Sequence, residues 1–121
     1  MRSKGEIGKA GEDIACTYLA AQGYEIKHRN FRAGHLETDI ICENGEYLLF
    51  VEVKTRRLTG AKTRYGIARD AVDARKKENL IACAKEYLRA NKTEKKPRID
   101  VIEVYLLRED SPRINHIKNI L

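Results

Sequence analysis

The chain has 121 residues, with 24 Lys and Arg against 18 Asp and Glu and a formal net charge of +6. This length predicts a single domain over residues 1–121, with one hydrophobic core. No apolar run approaches the roughly 20 residues of a membrane-spanning helix, and no signal-peptide core follows the N-terminus. We therefore expect a cytoplasmic protein without membrane contact.

The apolar pattern predicts seven elements in the order α-β-β-β-α-β-β. A helix is expected over residues 3–23 and a strand over residues 24–31, followed by a hairpin over residues 37–54. A basic loop over residues 57–64 precedes a long helix over residues 67–90. Strands over residues 98–107 and 114–117 end the chain. This order indicates an α/β fold in which helices flank a mixed sheet.

The hairpin geometry follows from the Asn44-Gly45 turn. If these two residues are central in the turn, Ile41 pairs with Leu48, and further pairs join Glu43 to Glu46, Asp39 to Phe50 and Glu37 to Glu52. Side chains alternate with period two, so one face carries Glu37, Asp39, Glu52 and Lys54. In this register Asp39 lies diagonal to Glu52, close enough for both to reach one cation.

These charges stand within a segment of Ile, Leu, Val, Phe and Tyr. Both faces of the two strands are apolar near the turn, so we expect central strands with the charges gathered at one end. Buried carboxylates require compensation, and a divalent cation would supply it. A solvated hairpin is the plainer interpretation, which the apolar residues on both faces disfavour.

Positive charge is concentrated after the hairpin. Residues 54–96 hold 14 Lys and Arg against 5 Asp and Glu, a net +9, so the rest of the chain carries −3. This layout is typical of a polyanion binder with a cation site, although a solvated lysine-rich helix would give the same count. Cys16, Cys42 and Cys83 indicate reduced packing residues, and neither they nor the three histidines have zinc-ligand spacing.

An ordered set of motifs resembles the PD-(D/E)xK nuclease superfamily and, more closely, the YraN-like family of bacterial endonuclease-like proteins. The matching motifs, which span nearly all of the chain, are Gly8-x-x-Gly11-Glu12, Tyr18-Leu19, Gly23-Tyr24, Asn30-Phe31-Arg32, Glu37-x-Asp39, Phe50-Val51-Glu52-Val53-Lys54-x-Arg56, Tyr65-Gly66, Ala71-Val72, Lys76, Leu80, Tyr87-Leu88, Arg98-x-Asp100-Val101 and His116-Ile117. The chain departs from the family pattern at Leu36, where Gly is usual, and at Thr38, where an apolar residue is usual. The resemblance implies a restriction endonuclease-like domain and a homodimer, although no sequence feature locates an interface.

The resemblance also implies roles for the acidic residues and one lysine. Asp39 and Glu52 would hold Mg²⁺ or Mn²⁺, with the Val53 carbonyl as a further ligand. Glu12 would approach from the first helix as a catalytic group or metal ligand. Lys54 would orient the attacking water or neutralise developing negative charge.

Other interpretations of these residues stay open. Glu12 could be a helix-surface residue, Lys54 could simply pair with Glu52 or Glu37, and Glu37 could be a structural partner of a basic residue. Residues that would contact the phosphate backbone non-specifically are Arg56, Arg57, Lys62, Arg64 and Lys76. Of these, Lys76 matches a superfamily position on the second helix but could be an ordinary exposed lysine.

The function implied is Mg²⁺-dependent hydrolysis of phosphodiester bonds in DNA, with branched or repair intermediates among the candidate substrates. Two alternatives remain: a catalytically silent nucleic-acid-binding module, and a structural protein whose charged hairpin docks another chain. Intact Glu12, Asp39, Glu52 and Lys54 favour the enzyme.

Overall fold

The computed structural model describes residues 4–57, 73–107 and 111–121. The elements are α1 (Lys4–Ala21), β1 (Glu25–Ala33), β2 (Leu36–Glu43), β3 (Tyr47–Arg57), α2 (Ala74–Ala90), β4 (Lys96–Leu106) and β5 (Arg113–Ile117). The order is the predicted α-β-β-β-α-β-β, and the α/β class with a mixed sheet is confirmed. No helix in the described ranges is both long and apolar enough to cross a membrane.

The five strands form one sheet in the order β1-β2-β3-β4-β5. Neighbouring strands run antiparallel except β3 and β4, which are parallel. One helix covers each face: α1 packs through Ala15 and Leu19, whereas α2 packs through Leu80, Ala84 and Tyr87. Because both faces are covered, the middle strands β2 and β3 are apolar on both sides, as their continuous hydrophobic runs predicted.

The predicted hairpin register is wrong by two residues. The structure pairs Ile41 with Phe50 and Glu43 with Leu48, instead of Ile41 with Leu48 and Glu43 with Glu46. The physical cause is Asn44, whose side-chain Oδ1 accepts hydrogen bonds from the Glu46 and Tyr47 amides at 2.9 and 2.7 Å. This Asx turn places Gly45 and Glu46 at the centre of the loop. An even shift leaves every side chain on its predicted face.

The strands β2 and β3 separate at one end, and this fork positions the candidate site. Their pairing ends at Ile40 and Val51, although β2 stays paired with β1 as far as Leu36. On the other side, β3 stays paired with β4 as far as Arg57. The two strands therefore follow different neighbours beyond this point, which opens backbone groups of β3 toward β2.

The second helix begins at a capped residue. Asp73 is the N-cap, and its side chain accepts the Lys76 amide hydrogen at 2.8 Å. This bond satisfies one of the free amides of the first turn and fixes where the described helix begins. The part of the predicted helix that precedes Asp73, and the predicted basic loop after Arg57, lie outside the described residues.

A buried polar cluster ties the C-terminal segment to the sheet. Asp100 is fully buried on β4 and accepts two hydrogen bonds from Arg98, both at 2.9 Å. The same carboxylate lies 2.7 Å from His116 Nε2 and accepts the Asn119 amide hydrogen at 2.9 Å. On its other side His116 meets the Tyr18 hydroxyl of α1 at 2.9 Å. The cluster joins α1, β4 and β5.

Candidate active site

Asp39 occupies the fork between β2 and β3. Its Oδ2 accepts a hydrogen bond from the Val53 amide at 2.8 Å, in place of the ladder bond that the separated strands no longer make. Continuing the observed register by one residue would set Asp39 opposite Glu52 instead of diagonal to it, although the ladder itself ends at Ile40 and Val51. The N–H and C=O of a strand residue point to the same edge, so the Val53 carbonyl also faces this fork.

The environment of Asp39 opposes ionisation of its carboxyl group. Burial is the largest cause and the neighbouring Glu52 charge is the second, and together they raise the pKa of Asp39 to about 7. The Val53 hydrogen bond lowers the pKa in part, whereas Glu12 and Glu37 each add to the increase. A raised carboxyl pKa beside a second carboxylate is typical of sites that take up a cation or a proton.

Glu52 is 5% exposed and is paired with two lysines. Its Oε1 lies 3.6 Å from the Lys54 ammonium and 3.4 Å from the Lys76 ammonium. Lys54 comes from the same strand, whereas Lys76 comes from the first turn of α2. Both lysine side chains are partly exposed, at 34% and 40%. The structure therefore brings together the predicted residues Glu52, Lys54 and Lys76, and leaves both cations accessible from solvent.

Glu12 reaches the site region from α1. The helix can approach β3 because Gly11 lies against Thr55, where an added Cβ would come within 1.8 Å of the Thr55 hydroxyl. Glu12 pairs with Arg29 at 3.6 Å, and its charge contributes to the raised pKa of Asp39. It also borders an open cleft of about 400 Å³ lined by Gly5, Gly8, Lys9, Glu12, Arg29 and Asn30.

The remaining predicted residues divide into three groups. Glu37 pairs with Arg32 at 3.5 Å, which is the structural alternative considered from the sequence. Arg56 pairs with Glu103 at 3.3 Å, and Arg57 is exposed at the end of β3. The predicted phosphate-contacting residues Lys62 and Arg64 lie outside the described residues.

The donor set at the fork suits a hard divalent cation. Within residues 4–57, 73–107 and 111–121, no group of three or more His, Cys, Asp or Glu side chains is placed to hold a metal ion. Mg²⁺, however, is commonly bound through one or two carboxylates with water and substrate phosphate completing its shell. Asp39, Glu52 and the Val53 carbonyl provide oxygens of this kind, and a cation would offset the repulsion that raises the Asp39 pKa.

Sequence reasoning missed Glu103, which is fully buried on β4. The β3–β4 register pairs it with Lys54, beside the candidate site. The sequence held a usable signal, since Glu103 interrupts the apolar run from Val101 to Tyr105, just as Asp39 and Glu52 interrupt theirs. Its partners could not be found in the same way, because they depend on which strands lie beside β4.

The fold and the site together define an α/β protein with two carboxylates and two lysines grouped where the central strands part. The chain belongs to the uncharacterised protein family UPF0102, whose sequence profile matches residues 11–104. A UPF0102 protein of Dehalococcoides mccartyi is 41% identical over 117 residues, covering 96% of this chain and 93% of that protein. One from Bacteroides thetaiotaomicron is 38% identical over 118 residues, covering 98% and 93%.

Among solved structures, the chain is distantly similar to Hjc of Archaeoglobus fulgidus, a Holliday junction resolvase. The TM-score is 0.47 at 16% sequence identity, and the overlap covers 88% of this chain and 84% of that chain.

Proposed function

We propose that this protein binds DNA and hydrolyses its phosphodiester bonds as an endonuclease that uses Mg²⁺ or Mn²⁺. The observation that carries the proposal is the grouping of Asp39, Glu52, Lys54 and Lys76 at the β2–β3 fork. Two carboxylates that repel one another, with accessible ammonium groups beside them, are suited to a cation and a phosphate together. The motif resemblance to PD-(D/E)xK nucleases supports the same chemistry.

Each residue has a distinct task in this reaction. Asp39 and Glu52 would hold the cation, with the Val53 carbonyl as a further oxygen ligand. The cation would supply Lewis-acid chemistry there, acidifying a bound water and offsetting negative charge on the scissile phosphate. Lys54 orients the attacking water or neutralises the developing charge, and Lys76 on α2 supplies a second positive charge. Glu12 supports the site from α1.

Binding of the DNA backbone is assigned to exposed cations beyond the site. Arg56 and Arg57 follow Lys54 on β3, and both are accessible. The basic residues Lys62 and Arg64 continue this segment in the sequence. Contacts of this kind recognise phosphates rather than bases, so affinity should fall steeply with salt.

The three cysteines are free, which fits a reducing cytoplasmic compartment.

A cleavage assay with matched variants tests the proposal. Labelled junction, flap, single-stranded and duplex DNA are incubated with Mg²⁺ or Mn²⁺ and the wild type, Asp39→Ala or Lys54→Ala. We expect cleavage that falls about 100-fold or more in both variants. Lys92→Ala is the charge-matched control, since Lys92 follows the far end of α2, roughly 20 Å from Lys76. This control should cut like the wild type.

The other outcomes overturn the proposal in different ways. Cleavage that survives both substitutions would come from a contaminating nuclease. Salt-sensitive binding without cleavage would identify a silent nucleic-acid-binding module, a candidate favoured by the pairing of Glu52 with both lysines. Absence of any DNA binding would favour a protein-docking role.

A further inference from the structure

Glu103 is a buried carboxylate held at both oxygens. It lies on β4 with 0% exposure. Its Oε2 accepts a hydrogen bond from Arg56 Nε at 3.3 Å, and its Oε1 accepts one from the Asn115 side-chain amide at 3.0 Å. Removing water from a carboxylate is costly unless its oxygens are satisfied, so these two contacts fix the orientation of Glu103.

Sheet register places this group directly beside the candidate site. The parallel pairing of β3 and β4 sets Glu103 next to Lys54. Lys54 and Arg56 are two residues apart on β3, so they share a face and their backbone positions are about 7 Å apart. This separation is comparable to that of successive phosphates on one nucleic-acid strand.

The Glu103 contact leaves Arg56 able to bind an anion. Glu103 contacts only the Nε of its guanidinium, so toward the described part of the chain the two terminal nitrogens retain their donors. The Arg56 side chain is 39% exposed, although its partner is completely buried. A guanidinium anchored on one edge and open on the other is preorganised for bidentate contact with a phosphate.

We propose that Glu103 and Asn115 aim Arg56 at the phosphate adjoining the one that is bound at Asp39, Glu52 and Lys54. The inference rests on the proposed function, because it assumes a nucleic-acid strand at that site. Arg56 is then a fixed clamp on a neighbouring phosphate rather than one of several mobile surface cations. Glu103 and Asn115 are positioning residues, which act on the substrate only through Arg56.

Equilibrium binding of labelled DNA across a salt series, without divalent cations, measures the effect. Arg56→Ala should weaken binding about tenfold. The slope of log affinity against log salt should become shallower by about one unit, as expected for the loss of one phosphate contact. Glu103→Gln should change both quantities in the same direction. The double variant should bind no more weakly than Arg56→Ala alone, because both changes remove one interaction.

A matched control and a second variant separate positioning from folding. Lys92→Ala removes an equal charge far from the site and should leave the salt slope at the wild-type value. Asn115→Ala keeps the Arg56–Glu103 ion pair but releases Glu103 Oε1, and it lies on an edge strand where truncation is tolerated. Asn115→Ala should weaken DNA binding and make the salt slope shallower, as Arg56→Ala does, even if Glu103→Gln does not fold.

Substrates with single methylphosphonate linkages test which phosphate is held. Neutralising one linkage beside the scissile position should weaken binding of the DNA by the wild type. The affinity of Arg56→Ala, which is already lower, should not change further. Thermal unfolding of each variant is measured alongside. A Glu103→Gln or Asn115→Ala protein that melts earlier, yet keeps the wild-type salt slope, would show a purely structural role and overturn the inference.

The failures of the two proposals are distinguishable. Wild-type protein that binds no DNA overturns the proposed function. If the wild type binds DNA and Arg56→Ala binds it with the same affinity and salt slope, only the phosphate clamp is overturned. Strictly additive losses from Arg56→Ala and Glu103→Gln would likewise show that Glu103 does not act through Arg56.

Discussion

The Asp39 carboxylate accepts the Val53 amide hydrogen at 2.8 Å and so substitutes for a backbone bond where β2 and β3 separate. This contact fixes an acidic side chain at the edge of a central strand, with Glu52 as its neighbour. Metal-free protein must then bear two adjacent carboxylates in a largely buried setting. The fork is therefore both the candidate site and a local source of instability.

Asp39→Asn should stabilise the metal-free protein at pH 8 by about 2 kcal/mol. The folded pKa of Asp39 is raised from 3.8 to about 7. The folded state therefore holds a proton on this carboxyl more tightly than the unfolded state does. The resulting stabilisation is full below pH 3.8 and is lost as pH rises through 7. Asparagine does not titrate and can still accept the Val53 hydrogen bond. Urea unfolding between pH 4 and 8 should show the advantage of the variant growing with pH. An advantage independent of pH would contradict this account.

Mg²⁺ or Mn²⁺ should raise the melting temperature of the wild type at pH 8 by about 3–6 °C at tenfold excess over its dissociation constant. The added charge offsets the repulsion between Asp39 and Glu52, which is greatest once both are ionised. The shift should vanish in Asp39→Asn and diminish at pH 5, where protons compete with the cation. Equal shifts in wild type and variant would place the cation elsewhere.

Asp100→Asn should lower the free energy of unfolding at pH 7 by about 3 kcal/mol, because it leaves Arg98, whose side chain is only 12% exposed, without its charged partner. Burial alone would raise the pKa of Asp100, but hydrogen bonds from His116, Arg98 and the Asn119 amide more than offset it and lower the pKa. This stabilisation is present above pH 3.8 and is lost as pH falls below it.

Acid unfolding of the wild type and Asp100→Asn checks the sign, since the two stability curves should converge below pH 3.8. Asp13→Asn removes an exposed partner of Arg29 and should have a much smaller effect at every pH.

The fold was largely predictable because its signals are local. Helical periodicity, alternating strands and the Asn-Gly dipeptide gave the element order, and the two buried faces of the hairpin predicted its central place in the sheet. The register was not predictable from the dipeptide, because the Asn44 side chain captures two amides and moves the turn by one residue. This error did not affect the predicted grouping of the site residues, because a shift of two residues leaves each side chain on the same face of the sheet.

Other parts of the site depend on tertiary packing and could not be read from spacing. Lys76 lies 22 positions after Lys54, and only the docking of α2 brings its ammonium group to Glu52 beside that of Lys54. The sequence suggested Lys76 through family resemblance alone. Glu103 was visible as a charge within an apolar run, but its contact with Arg56 depends on the parallel pairing of β3 with β4.

Gly11→Ala should destabilise the protein by about 1–3 kcal/mol, whereas Gly8→Ala on the same helix should stabilise it by about 0.5–1 kcal/mol. A Cβ at Gly11 would collide with Thr55, so α1 must move away from β3 and take Glu12 with it. A Cβ at Gly8 meets nothing within 4 Å and only favours the helix. Thermal unfolding of both variants is the measurement, and equal effects would disprove close packing at Gly11.

Thr38→Val should raise the free energy of unfolding by about 1 kcal/mol. Thr38 is completely buried and its hydroxyl has no hydrogen-bond partner among residues 4–57, 73–107 and 111–121, so the folded state bears an uncompensated desolvation cost. Valine keeps nearly the same shape without the hydroxyl, in agreement with the apolar residue that the family pattern has here. Thr38→Ser is the matched control: it keeps the hydroxyl, deletes the methyl group and should destabilise. Urea unfolding at pH 7 separates the two, and a less stable Thr38→Val protein would show that the hydroxyl is satisfied in solution.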